Sequence, residues 1–151
     1  MAGFLGEYDC TLDPKGRFLL PAKFKEQLQE NENSQFVVNR GMDTCLGLYT
    51  IREWQPLFDR INKLNDFDTK IRRFKRFFLN GATMTELDSA GRLLVPQTLR
   101  EYAGLGKDIT LVSMGNRLEI WDVSKYKKEL FESMTQDEFR DAAGDIMKDI
   151  S

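Results

Sequence analysis

At 151 residues the chain has the length of one domain, and its 41% hydrophobic and 30% charged residues are the proportions of a folded globular protein, not a disordered one. Histidine is absent, which excludes Ser-His-Asp and Cys-His catalysis and any His-containing zinc site, and no Gly-rich phosphate loop or paired acid and base stands out. The net charge of −2 divides unevenly, with eight acidic against five basic residues over 122–151 and sixteen against seventeen over 1–121, so a local basic face is compatible with an acidic total.

In chain order, Met1-Ala-Gly-Phe-Leu-Gly-Glu7 lacks a basic leader followed by an apolar stretch, and no apolar run approaches the roughly 18 residues of a membrane span. A cytoplasmic protein is expected. Alternation at Tyr8, Cys10 and Leu12 reads as a strand. Asp13-Pro14-Lys15-Gly16 has the residues of a type I turn, and Arg17–Leu20 is the return strand of a hairpin. Pro21 then opens a short helix to Leu28. Gln35–Arg40 and Cys45–Tyr49 read as a third and fourth strand. Thr50 and Glu53 form a capping box for a helix running to about Leu64. A second helix starts near Asp66 or Asp68 and runs to about Leu79, with Asp68 and Arg72 one turn apart.

The order then repeats. Residues 12–26 and 87–101 match at seven of fifteen positions without a gap: Leu12/Leu87, Asp13/Asp88, Gly16/Gly91, Arg17/Arg92, Leu19/Leu94, Pro21/Pro96 and Glu26/Glu101. Average usage gives about one match in such a window. The strand before the second turn carries Thr83, Thr85 and Leu87. Asp88-Ser89-Ala90-Gly91 keeps the turn's Asp and Gly but loses Pro and Lys. Arg92–Val95, a helix Pro96–Ala103 and strands Lys107–Ser113 and Arg117–Trp121 follow, with Leu46/Leu118, Leu48/Ile120 and Tyr49/Trp121 in register. Ser124–Met134 and a helix capped by Thr135 and Glu138 finish the chain. A four-strand unit cannot bury both its faces, so the two copies are expected to pair into one barrel-like core. The fold class is α+β, with units at 3–64 and 81–130, a helical linker at 65–80 and a helical tail at 131–151. Cys10 and Cys45, far apart and without metal-like spacing, read as reduced, small buried hydrophobes.

Gly6-Glu-Tyr8, Leu12-Asp-x-Lys-Gly-Arg17, Pro21-Ala-Lys-Phe24, Arg40-Gly-x-Asp43, Trp54, Phe77-Phe-x-x-Gly-Ala82, Leu87-Asp-x-x-Gly-Arg92 and Asn116-Arg-x-Glu-Ile-Trp121 together resemble the MraZ family, over about residues 3–130. The resemblance implies a duplicated swapped-hairpin, AbrB-like β-barrel with flanking helices. It further implies a bacterial transcriptional regulator of the division and cell-wall gene cluster that binds short direct promoter repeats as a ring-like homo-oligomer. Nothing is carried over to 131–151.

The candidate DNA-binding residues are Arg17 and Arg92, with Lys15, Lys23, Lys25 and Arg100 as candidate phosphate neighbours. Asp13, Gly16, Asp88 and Gly91 are expected to shape the turns and orient the arginines, since a carboxylate is repelled by phosphate. The plainer alternative is that the Asp–Arg pairs merely stabilise their turns and that Lys23, Lys25 and Arg100 lie on a solvated helix face. Ala90 stands where the first turn has Lys15, so the first copy is expected to be the stronger reader. The basic run Lys70–Arg76 reads as an amphipathic helix with Ile71, Phe74, Phe77 and Phe78 buried and its charges solvated. Trp54, Trp121 and Tyr49 read as core or subunit-interface residues. The expected partners are double-stranded DNA and the chain itself, with no membrane, small-molecule substrate, metal or cofactor. A rival reading keeps the fold and makes the chain an AbrB-like antitoxin or protein-binding module that uses its acidic tail.

Overall fold

The computed structural model describes residues 3–28 and 35–150, so the extreme N-terminus, residues 29–34 and Ser151 lie outside the described residues. The first copy comprises β1 (Glu7–Thr11), β2 (Arg17–Leu19), α1 (Ala22–Lys25), β3 (Gln35–Arg40), β4 (Leu46–Thr50) and α2 (Ile51–Asn62). Helix α3 (Thr69–Gly81) links it to the second copy. There β5 (Thr83–Glu86), β6 (Arg92–Leu94), α4 (Gln97–Ala103), β7 (Asp108–Ser113), β8 (Leu118–Asp122) and α5 (Val123–Ser133) repeat the order, and α6 (Gln136–Ile150) closes the chain.

The helix starts follow their caps. Thr50 Oγ1 accepts from the Glu53 N–H at 3.3 Å, Asp68 from Lys70 at 2.8 Å and Thr135 from Glu138 at 3.2 Å. Helix α5 begins at Val123, capped by Asp122, slightly earlier than Ser124. Helix α4 stops where Gly104 takes a left-handed φ of 60°. Helix α1 lacks such a glycine and loosens after Lys25 into i→i−3 turns, with Gln27 N–H on Phe24 and Leu28 N–H on Lys25.

Two expectations are corrected by the strand pairing. The return strands do not fold back as hairpins: β1 pairs with β7, β5 with β3, and β2 with β6, each across the copies. Each return strand is three residues long and alternates half-buried, buried, exposed. Pairing β2 with β6 sets Phe18 opposite Leu93 and sends both into one core, at 1% exposure each. The second correction concerns closure. The sheet is open and antiparallel, in the order β1-β7-β8-β4-β3-β5, and the β2–β6 ribbon is a separate two-stranded sheet, so the described residues form no closed barrel.

The duplication is visible as an approximate twofold axis. It passes between Phe18 and Leu93 in the ribbon and between Gly47 and Glu119 in the β4–β8 pair, each a repeat-equivalent pair facing itself. Between ribbon and sheet lies the main core, including Phe18, Phe24, Leu93, Leu99, Leu46, Leu48, Leu118 and Ile120. Alternation along β3 sends Phe36 and Val38 into that core and Val37 to the other face. There Val37, Tyr49, Trp54, Ile61 and Phe78 pack beneath α2 and α3. Trp54 stacks on Phe78 at 5.7 Å between ring centroids, and Trp121 is 5% exposed. No helix among the described residues is long and apolar enough to cross a membrane.

Candidate nucleic-acid interface

Each turn is built by its aspartate. Asp13 Oδ1 accepts from the backbone N–H groups of Lys15 and Arg17, both at 2.9 Å, and Oδ2 accepts from Arg17 Nε at 2.7 Å. Asp88 repeats the pattern with Ala90 at 3.0 Å, Arg92 N–H at 2.8 Å and Arg92 Nε at 2.9 Å. Backbone bonds close both turns, from Gly16 N–H to the Asp13 carbonyl and from Gly91 N–H to the Asp88 carbonyl, at 2.9 Å each. The glycines take φ of 85° and 81°, a region that side chains disfavour. The Arg17 backbone N–H, then its side chain, hold the Asp13 carboxyl below its ordinary value; Arg92 does the same for Asp88. Both carboxylates are therefore charged at neutral pH and fix the direction of their arginines.

The turns interlock. The Gly16 carbonyl accepts from Val95 N–H at 2.9 Å and the Gly91 carbonyl from Leu20 N–H at 3.1 Å, so each turn is fastened to the other copy. Arg92 Nη1 lies 4.0 Å from Asp13 Oδ2, which draws the two arginines to one carboxylate. Alternation along the ribbon points Phe18 and Leu93 inward and leaves Arg17, Leu19, Arg92 and Leu94 on the outer face. Their register sets Arg17 opposite Leu94 and Leu19 opposite Arg92.

The helices following the ribbon cross over as well. Arg100 of α4 lies over the first turn, where a methyl group built on Gly16 would stand 2.6 Å from its guanidinium carbon. Its Nε donates to the Val95 carbonyl at 3.0 Å. Lys25 of α1 lies over the second turn, its Nζ 2.7 Å from the corresponding position on Gly91. Lys15 projects exposed from the first turn. Lys15, Arg17, Lys25, Arg92 and Arg100 thus gather around Asp13 and Asp88, five cations against two carboxylates. Lys23 is not brought to this group. Its Nζ lies beside Gly6, at the end of β1 remote from Asp13.

The basic run on α3 is only partly solvated. Arg72 donates to the Asp66 carbonyl at 2.8 Å, and Lys75 is tied to the Leu64 carbonyl and to Asp66. Lys70, Arg73 and Arg76 are exposed. Of the four apolar residues expected to be buried there, Phe78 is buried and Ile71 half-buried, whereas Phe74 and Phe77 are 38% and 53% exposed. Phe77 fails to enter the core because it serves as a platform outside it. The Arg40 guanidinium lies 4.3 Å from its ring centroid and bonds its carbonyl, and Tyr102 meets it edge-on at 5.9 Å. Cys45 is buried and Cys10 half-buried, and burial pushes the Cys10 thiol up to about 11, so it is protonated and unreactive at neutral pH.

The family model for the MraZ protein, described as antitoxin-like, matches residues 4–77 and again 78–148. The chain belongs to the MraZ family. A relative from Cytophaga hutchinsonii named transcriptional regulator MraZ is 43% identical over 136 residues, 90% of each chain. Another of that name, from Acetivibrio thermocellus, is 44% identical over 124 residues, 82% of this chain and 84% of the relative. The two MraZ matches meet inside α3 and so support a duplication, and the second takes in residues 131–148, which the motif resemblance had left aside.

Sequence reasoning overlooked Leu19 and Leu94, the outward-facing apolar residues of the ribbon. Both are exposed, at 60% and 47%, beside the arginines of the MraZ turns. The signal was present, because an identical apolar pair in register with the outward Arg17 and Arg92 must also point outward on a strand.

Proposed function

We propose that the chain is a DNA-binding transcriptional regulator that lays the β2–β6 ribbon in a groove of double-stranded DNA. The supporting observation is the outer face of that ribbon, where Arg17 and Arg92 stand diagonally with Leu19 and Leu94 and their aspartates hold both arginines. A two-stranded antiparallel ribbon fits the major groove, which is about 12 Å wide. Arginine there reads guanine edges, and an apolar side chain meets the thymine methyl. Lys15, Lys25 and Arg100 flank the ribbon as phosphate neighbours, while Asp13 and Asp88 orient and Gly16 and Gly91 shape the turns. Lys23, beyond β1, reaches only backbone outside the central contact.

The cross-copy pairing of β1 with β7 and β5 with β3 favours a swapped-hairpin, AbrB-like arrangement of units 3–64 and 81–130 joined by 65–80. One ribbon offers few phosphate contacts, so the regulator acts as a homo-oligomer on short direct repeats, where effective concentration multiplies weak binding. The resemblance implies a ring and a promoter of the division and cell-wall gene cluster as target, and a regulator bound there would sit in the cytoplasm at the nucleoid.

The test is a gel shift with a duplex carrying repeated promoter elements. Arg17→Ala that keeps the wild-type mass is expected to abolish the shift, and wild-type affinity in that variant rejects the site assignment. The rival is an antitoxin or protein-binding module, favoured by the antitoxin-like family description and by the acidic, uncovered α6. Mass separates the two readings, because a homo-oligomer supports the regulator and a tightly co-purifying small basic protein supports the rival.

A further inference from the structure

We infer that α6 of one copy docks on the exposed face of α3 in a second copy; this rests on the homo-oligomer reading above and names its contact. Helix α6 has no buried residue, yet it is strongly two-faced. At 3.6 residues per turn, Phe139, Ala142, Ala143, Ile146 and Ile150 form one stripe. Phe139 and Ile146 are each 60% exposed and Ile150 is 73% exposed. Such a stripe has no reason to stay in water on a folded chain.

One flank of that stripe is acidic, with Glu138, Asp145 and Asp149 along it and Asp141 just beyond. Helix α3 offers the counterpart. Its outward face alternates Lys70, Arg73, Phe74, Arg76 and Phe77, all exposed, and Phe67 at its entry is 93% exposed. The two faces match in kind: apolar residues on apolar residues, and a carboxylate row against an ammonium and two guanidinium groups that no ion pair engages among the described residues. Arg72 and Lys75 on the same helix are held by the 64–69 segment and take no part. A helix laid on a helix face in this way uses anchors one turn apart. Because donor and acceptor faces differ, each copy keeps one of each free, and the contact propagates head to tail until it closes.

The experiment is native mass spectrometry of the full chain, with far-UV circular dichroism as the folding control. Wild type is expected well above the monomer mass of 17.5 kDa. Arg73→Glu with Arg76→Glu is expected to shift most of the signal to smaller species, and so is Asp145→Lys with Asp149→Lys. Carrying all four changes together is expected to restore the wild-type mass. Wild-type assembly that ignores either charge reversal, or dissociation that the four-fold variant does not repair, overturns this contact and leaves the oligomer reading standing. A monomeric wild type overturns both.

Discussion

Arg92, from the second copy, has its guanidinium 4.0 Å from the Asp13 carboxylate of the first, on the same oxygen that takes the Arg17 Nε–H at 2.7 Å. Asp13 therefore stands near two arginines, whereas Asp88 pairs only with its own Arg92 among the described residues. Asp13→Asn removes the charge that restrains both. The expected result is a larger loss of DNA affinity for Asp13→Asn than for Asp88→Asn, read by fluorescence anisotropy at fixed salt. Equal losses would show that the 4.0 Å approach has no consequence.

The glycines of the two turns sit in unequal surroundings. Gly16 faces an Arg100 guanidinium already engaged with the Val95 carbonyl, whereas Gly91 faces only the flexible end of Lys25. Either Gly→Ala forces an alanine into positive φ, at a cost of about 1 kcal/mol. Gly16→Ala must also displace Arg100, so it is expected to lose more DNA affinity than Gly91→Ala. Thermal melting and anisotropy on the same samples separate the two effects.

Phe18 and Leu93 face each other on the approximate twofold axis and are each 1% exposed. Phe18→Ala removes a ring buried in the core between ribbon and sheet, and about 3–5 kcal/mol of stability is expected to go with it. Urea unfolding gives the value. A loss below about 1 kcal/mol would mean that the ribbon does not close the core.

The pH dependence follows from the turn carboxylates. Their folded values lie below the ordinary 3.8, so their contribution is complete above that value and is lost as pH falls through the lower folded one. The chain has no histidine to titrate near neutrality. Arg17 and Arg92 Nε–H signals in NMR are expected to hold their positions from pH 7 to about 5 and to move only in stronger acid.

Much of the fold is legible in the sequence because its signals are local. The caps Thr50, Asp68 and Thr135, the left-handed glycines and the period-2 strands depend on neighbours a few residues away. Strand partners are not local. The Asp13–Gly16 turn looks like a hairpin turn, and only competition for one core decides that Phe18 pairs with Leu93 instead of returning to β1. At the site, the Asp–Arg pairs are readable from their spacing. The crossed positions of Lys25 over Gly91 and Arg100 over Gly16 are not, since they follow from the cross-copy pairing. Phe77 shows the opposite failure, an apolar residue kept outside the core because Arg40 and Tyr102 use its ring.

The most direct test of the ribbon as the DNA-reading surface is site-specific photocrosslinking to a labelled repeat duplex. A benzophenone side chain is placed in turn at Leu19, Leu94 and Lys70 of the full chain. Crosslinks are expected from Leu19 and Leu94 and none from Lys70. Crosslinking from Lys70 alone would contradict this assignment and move DNA to α3.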